Sequence, residues 1–130
     1  MSAEDLCGGV AVLDESVLGE LALDLCPASA LTFARTYRRM LPGRVTRVTS
    51  VLAPPAAAAT EPADVDVLDA VLSLGTSAAA VGACCLAEVA QGLARDVRRG
   101  DREAARCRLA RLRDVTGCTE RALDGYLARS

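Results

Sequence analysis

Residues 72–83 of this chain read LSLGTSAAAVGA, and with the eight residues before them they form its clearest helical pattern. At about 100° per residue, apolar positions of this segment recur on one arc. That arc predicts the core face of a third helix, from roughly Asp64 to Ala80, and consists of Val67, Val71, Leu74, Ala78 and Val81. Leu72 lies about 140° from the centre of the arc, so we expect it to point away from the core.

The outward face of this third helix is small and apolar. Its members are Val65, Leu68, Asp69, Leu72, Gly75, Thr76, Ala79 and Ala83. A solvent-exposed helix face normally carries several charges, whereas Asp69 is the single charge here. A contiguous exposed apolar patch usually marks an interaction site, so this face predicts contact with a partner.

The chain on the N-terminal side predicts two further helices. Asp14 is a good N-cap for a first helix, and Glu15 places an acid where the helix dipole favours it. One face of that helix is formed by Leu18, Leu21, Ala22 and Leu25. Pro27 begins a longer second helix, whose apolar stripe is Leu31, Ala34, Tyr37, Leu41, Val45, Val48 and Leu52. Because the stripe stays in phase across Pro42 and Gly43, one kinked helix is favoured over two.

The C-terminal half continues the helical pattern after a connector. Residues 53–63 contain three prolines, which predicts a loop within one domain. A fourth helix is expected from Cys84 to Arg98, ended by Gly100 and followed by Asp101 as the next N-cap. The core positions of the fourth helix are Leu86, Ala90, Leu93 and Val97. The inward positions of the last helix are Ala105, Leu109, Leu112, Val115, Thr119, Leu123 and Tyr126.

Long helices with short connections favour antiparallel neighbours. The predicted fold is therefore all-α: an antiparallel up-down four-helix bundle, with the short first helix capping one end. Residues 1–130 are expected to form one domain, because a chain of this length builds a single core.

Composition argues against several classes of function. The net charge is −2, the pI is about 5.1 and aromatic residues make up 2%, so nucleic-acid binding is not expected. No apolar run approaches the roughly 18 residues of a membrane span, and the acidic N-terminus lacks the features of a signal peptide. We therefore expect a cytoplasmic protein with no membrane association. Neither a paired-carboxylate constellation nor a glycine-rich phosphate loop is present, which predicts no enzyme activity and no cofactor.

The six cysteines form no C-x-x-C pair, and the chain contains no histidine that could complete a mixed zinc site. Most of them adjoin apolar helix positions, where cysteine commonly packs as a small hydrophobic residue. Packing in the core is therefore favoured over a metal or redox role. The cysteines are Cys7, Cys26, Cys84, Cys85, Cys107 and Cys118.

Residues 72–83 resemble the phosphorylation helix of histidine phosphotransfer (HPt) domains, a family of bacterial two-component signalling. That helix reads roughly His-x-Leu-Lys-Gly followed by small residues and a Val-Gly-Ala-like ending. Here Leu72 occupies the histidine position, Gly75 the position of the cation and Thr76 that of the usual glycine. The resemblance extends over nearly the whole chain, through residues 12–21, 33–45 and 82–101, and it implies the four-helix bundle of that family.

The departures from the HPt motif exclude phosphotransfer. That chemistry needs a nucleophilic nitrogen and benefits from a cation beside the transferring phosphoryl group. Leu72 has no lone pair, the chain has no other histidine, and Ser73 and Ser77 lack a base that could activate them. What the resemblance leaves is a docking surface without chemistry.

We therefore expect a pseudo-HPt protein that modulates a phosphorelay without carrying phosphate. Its partner would be a response-regulator receiver domain or the dimerisation helices of a histidine kinase. The expected contact residues on and after the third helix are Leu68, Leu72, Gly75, Thr76, Ala79, Gly82 and Ala83. On the second helix, Arg35, Arg38 and Arg39 could steer docking towards the acidic pocket of a receiver, although a solvated basic face is at least as good an interpretation.

Two alternatives stay open. The apolar face of the third helix could instead support homodimerisation or packing in a larger assembly. Phe33 could be an exposed anchor beside Leu72 or a core residue at the edge of the bundle, and the core is favoured.

Overall fold

The computed structural model describes residues 7–54 and 62–129, and the regular elements within them are α-helices. The helices are α1 (Glu15–Asp24), α2 (Pro27–Leu52), α3 (Asp64–Val81), α4 (Cys84–Arg98), α5 (Arg102–Cys107) and α6 (Leu109–Ala128). The predicted all-α class is confirmed over these two stretches. None of the helices described here has both the length and the hydropathy that crossing a bilayer requires.

Helix α1 begins as its capping sequence predicts. The Oδ1 atom of Asp14 accepts a hydrogen bond from the Ser16 backbone N–H at 3.1 Å, which satisfies one of the free donors of the first turn. Leu18 is fully buried, but Leu25 is 63% exposed. Placing Leu25 on the buried face was wrong, because the helix ends at Asp24 and Leu25 is its C-cap.

Helix α2 runs through Pro42 as one element, as the in-phase stripe predicts. Pro27 lies at the start of the helix. Backbone N–H groups in the first turn have no intrahelical acceptor, so the absence of an N–H in proline costs no hydrogen bond there. The predicted stripe is buried apart from Leu31, which is half-buried. Its apolar side chains form one side of the core.

Helices α3 and α4 make the most extensive contact in the fold, and Gly82 connects them. Gly82 has φ +86°, and its N–H donates to the carbonyls of Ala78 and Ala79. A Cβ at this position would lie 2.5 Å from the backbone oxygen of Asp14. Glycine is therefore required for two reasons: the left-handed backbone and the close approach of the N-terminal segment.

The core is closed by three further contacts between long helices. Helix α2 packs against both α3 and α6, and α4 also packs against both α3 and α6. The buried core positions predicted for α3 and α4 are all confirmed, with exposed fractions of at most 2%. Leucine, valine and alanine supply most of this interior, as the low aromatic content predicts.

The last predicted helix is divided at Arg108, which ends α5 and caps α6. Gly100, with φ +73°, and the Asp101 cap precede α5 as expected, and Asp101 Oδ1 accepts from the Ala104 N–H at 3.0 Å. The Arg108 side chain crosses Gly92 and donates from Nε to Oδ2 of Asp96 at 2.6 Å. This ion pair supplies the partner that the buried Asp96 carboxylate needs.

The cysteines differ from the prediction. Cys7 and Cys85, 78 residues apart, form a buried disulfide. Cys26 and Cys107 are exposed, while Cys84 and Cys118 are half-buried. The expectation that most cysteines fill the core was therefore wrong. The pairing depends on the path of the N-terminal segment, which no cysteine spacing in the sequence reveals.

The N-terminal segment, residues 7–14, lies against the turn between α3 and α4. The Asp14 N–H donates to the Gly82 carbonyl at 2.7 Å, and the Cys85 N–H donates to the Ala11 carbonyl at 3.0 Å. Val10, Val12 and Leu13 pack on the core. Most of the predicted connector, residues 55–61, lies outside the described residues.

Candidate functional site

Leu72 is exposed on the outer side of α3. Its neighbours Val71 and Leu74 are fully buried, whereas 43% of Leu72 is accessible to solvent. The helical period that turns Val71 and Leu74 inward therefore turns Leu72 outward, and this prediction is confirmed. Leu72 forms part of two grooves, one on each side of α3.

The first groove, here called the α2–α3 groove, has a cavity volume of about 510 Å³. Leu72 lines it from α3, and Phe33 and Met40 line it from α2. Phe33 is 38% exposed and Met40 is 47% exposed. The favoured core position of Phe33 was wrong, because the chain places it on the flank of α2 that faces this groove. The structure instead agrees with the alternative prediction, in which Phe33 is an exposed apolar residue beside Leu72.

The polar groups of the α2–α3 groove centre on Arg44. Its Nη1 donates to Ser73 Oγ at 3.1 Å, while its Nε is buried without a hydrogen-bond partner. Tyr37, also in the wall, is 5% exposed and its hydroxyl is likewise buried without a partner. Burial raises the pKa of Tyr37 to about 12, although the positive charge of Arg44 partly offsets this.

The second groove, here called the α3–α4 groove, has a cavity volume of about 520 Å³. It has a small-residue floor and a polar rim on α4. The floor includes Gly75, Ala79, Ala90 and Ala94, and the rim is Gln91, Arg95 and Arg98. A Cβ on Gly75 would lie 3.2 Å from the Cβ of Ala90, so glycine allows α3 and α4 to pack closely here.

The two grooves place arginine on both sides of Leu72: Arg44 on one side and Arg95 and Arg98 on the other. Across residues 7–54 and 62–129, none of these three makes an ion pair. The nearby acid Asp69 is neutralised by Arg47, with Nη2 to Oδ2 at 2.7 Å. We use "Leu72 face" for Leu72, Thr76, the two grooves and these three arginines.

Part of the predicted contact set lies on this face and part does not. Leu72, Gly75, Thr76 and Ala79 line the grooves. Gly82 and Ala83 were wrongly placed on an accessible surface. Both are buried, because the N-terminal segment covers the turn that they form.

Leu68 is half-buried, because its side chain packs partly against the core, so only part of it is accessible to a partner.

The three arginines predicted on the second helix do not flank Leu72. Arg38 bridges to α6, with Nη1 to Glu120 Oε2 and Nε to Asp124 Oδ1 both at 2.9 Å. The hydrogen bond to Asp124 is the main reason that the pKa of Arg38 is raised. Arg35 and Arg39 are exposed but line neither groove. Their helical positions, about 160° from Tyr37 in either direction, carry them to the far side of α2.

Two serine hydroxyls near Leu72, those of Ser73 and Ser77, make local hydrogen bonds. Ser77 Oγ donates to the carbonyl of Ser73 at 2.8 Å, and Ser73 Oγ accepts from Arg44. Neither arrangement orients a hydroxyl against a proton acceptor that could generate a nucleophile. In the part of the chain that the structure describes, no three side chains among Cys, Asp and Glu converge as a metal site.

The sequence did contain a signal for the residues that were missed. Phe33, Met40 and Arg44 recur at intervals of seven and four, and Gln91, Arg95 and Arg98 recur at intervals of four and three. Each set therefore shares one helix face. Their relation to Leu72 required the relative rotation of α2, α3 and α4, which a single helical period does not contain.

Comparison of the chain with protein-family models, with curated proteins and with solved structures gives no match.

Proposed function

We propose that this chain is a pseudo-HPt module that docks on a response-regulator receiver domain through the Leu72 face and modulates two-component signalling without carrying phosphate. The observation that carries the proposal is the position of Leu72, exposed between Arg44 on one side and Arg95 and Arg98 on the other. The motif resemblance of residues 72–83 supplies the class of partner.

The helix contacts support the bundle architecture that this proposal needs. Each of α2, α3, α4 and α6 has two neighbours among the other three, in the cyclic order α2, α3, α4, α6. We propose that these four form the up-down bundle of an HPt-like fold, with α1 packed mainly on α2 as the end cap. In such a fold the position of Leu72 corresponds to that of the phosphorylated histidine.

Charge complementarity favours a receiver over the other partners. The phosphoacceptor site of a receiver is acidic, and the three arginines of the Leu72 face have no carboxylate partner within residues 7–54 and 62–129. An acidic site set over Leu72 would lie between Arg44 and the Arg95–Arg98 pair. Complementary charges of this kind raise association rates and select the orientation of the partner.

Leu72 contributes the apolar part of the interaction. Fully burying a leucine is worth about 1.5–3 kcal/mol, and Leu72 has 43% of its surface left to bury. The gain on docking is therefore about 1 kcal/mol, a modest term that acts together with the rest of the face. A leucine at the centre also excludes phosphoryl transfer, so the complex is a regulatory contact with no chemical step.

The test is binding of the purified protein to receiver domains from its own organism, measured by isothermal titration calorimetry. Leu72→Asp should weaken binding at least tenfold, because it removes the apolar contact and sets a carboxylate against an acidic pocket. Leu23→Asp is the matched control, since Leu23 is 87% exposed on α1 and lines neither groove.

Three outcomes would contradict the proposal. Equal receiver affinity for the two variants would remove the Leu72 face from the interaction. Binding to kinase dimerisation helices but to no receiver would identify the other partner class. A concentration-dependent dimer in sedimentation, broken by Leu72→Asp and accompanied by no receiver binding, would establish homodimerisation through α3 instead.

A further inference from the structure

We infer that the α2–α3 groove is a binding site for a small amphipathic carboxylate, with the carboxylate on Arg44 and the apolar body against Phe33, Met40 and Leu72. This goes beyond docking, because the ligand is a free small molecule and its binding needs no partner protein. The observations that carry the inference are the apolar walls of the groove and the half-buried Arg44 guanidinium within it, which has no acid partner among the residues that the structure describes.

Arg44 determines the charge of the ligand. A charge withdrawn from water normally has a counterion, yet the hydrogen-bond partner of Arg44 across the described residues is the neutral Ser73 hydroxyl. Two further polar atoms in the same wall, the Nε of Arg44 and the hydroxyl of Tyr37, are buried without a partner. Because these two atoms are out of contact with solvent, the positive charge of the half-buried guanidinium is what favours a negatively charged group in the groove.

The acid in the same groove does not compete for Arg44. Asp69 lies in the lining, but its carboxylate pairs with Nη2 of Arg47 at 2.7 Å. The groove therefore keeps one uncompensated positive charge. Because this positive charge would repel a cationic ligand, the groove should bind anions in preference to cations.

The remaining lining determines the body of the ligand. Phe33, Met40 and Leu72 are each 38–47% exposed, and they leave apolar surface that a hydrocarbon can cover. A volume of about 510 Å³ is within the usual range for small-molecule sites, which combine apolar walls with a few oriented polar groups. A monocarboxylic acid with a body of roughly six to ten carbons fits this description.

The experiment titrates the full chain with sodium octanoate in a calorimeter and follows ¹H–¹⁵N chemical shifts. We expect saturable binding, with shifts at Phe33, Met40 and Leu72, and no binding of octylammonium chloride. Arg44→Met keeps the apolar stem and should weaken octanoate binding at least tenfold, because a hydrogen bond to a charged group is lost. Arg39→Met removes an exposed arginine outside both grooves and should leave binding unchanged.

Met40→Glu is a second variant that places a negative charge at the mouth of the groove, and it should also abolish octanoate binding. Circular dichroism verifies that each variant keeps its helices. The inference is overturned if octanoate does not bind, if octylammonium binds equally well, or if Arg44→Met binds like Arg39→Met. Receiver binding is measured separately, in the absence of octanoate. A negative result for octanoate therefore leaves the proposal of receiver docking untouched, and a negative result for receivers leaves the proposal of a carboxylate site untouched.

Discussion

Arg44 Nη1 donates to Ser73 Oγ at 3.1 Å, which ties helix α2 to the residue beside Leu72 on α3. The bond orients a cation towards the apolar centre of the Leu72 face without neutralising it. Gly75, at the position where the HPt motif has its cation, carries no side chain. The arginines that line the grooves together with Leu72 come from neighbouring helices: Arg44 from α2, and Arg95 and Arg98 from α4.

Restoring a histidine should restore phosphorylation if the HPt resemblance is correct. Leu72→His places an imidazole at an exposed position of α3, and a docked phosphoreceiver could then transfer its phosphoryl group to it. We expect acid-labile label on this variant and none on the wild type in a phosphotransfer assay with labelled receiver. Leu23→His provides a histidine elsewhere that is more exposed than residue 72, and it should stay unlabelled. Equal labelling of the two variants would show that docking does not centre on residue 72.

Charge steering should depend on α4 and not on the outer side of α2. We expect Arg95→Gln combined with Arg98→Gln to lower the receiver association rate about tenfold at low ionic strength, and the difference should shrink as salt is added. The matched pair, Arg35→Gln with Arg39→Gln, removes the same charge from positions that line neither groove. Stopped-flow kinetics measures both. If the Arg35→Gln, Arg39→Gln variant lowered the association rate more than the Arg95→Gln, Arg98→Gln variant, then Arg35 and Arg39 would be the residues that steer docking.

Tyr37 should ionise late. In a Tyr126→Phe background it is the sole tyrosine of the chain, so phenolate absorbance reports on it alone. Burial raises its pKa to about 12 from an ordinary value of about 10. Between these two values the native state binds the proton more tightly than the unfolded state does. The free energy of unfolding should therefore fall as pH rises from about 10 to 12, by about 2 kcal/mol.

The control for this titration is Tyr37→Phe, which removes the ionising group. Its free energy of unfolding should decrease less than that of the wild type as the pH rises. At neutral pH its free energy of unfolding should be up to about 1 kcal/mol higher than that of the wild type, because a buried hydroxyl without a partner is removed. A Tyr37 that ionises near pH 10 would contradict the burial.

The disulfide between Cys7 and Cys85 should stabilise the fold by closing a long loop. Cys7→Ala is expected to lower the free energy of unfolding by about 2–4 kcal/mol in urea denaturation, because the unfolded chain regains the entropy of a 78-residue separation. Cys107→Ala changes an exposed free cysteine and should have little effect. Added reductant should bring the wild type to the stability of Cys7→Ala, and unchanged stability under reduction would argue against the bond.

The helices were largely predictable from the sequence because their signals are local. Asp14 and Asp101 mark helix starts through their capping chemistry, and the apolar period of α2 continues through Pro42. The outward direction of Leu72 follows from the same period. The division at Arg108 was not predictable in this way, because Arg108 pairs with Asp96 of α4, and the period of the last helix does not contain that contact.

The composition of the Leu72 face was predictable only in part. The sequence by itself determined the all-α class, most of the core stripes and the absence of any histidine for phosphotransfer, since these depend on residue identity and helical period. Only the tertiary structure decided which arginines flank Leu72, where Phe33 lies, that Gly82 and Ala83 are covered, and that Cys7 meets Cys85. Those relations depend on how whole helices are rotated and packed against one another, which the period of one helix does not specify.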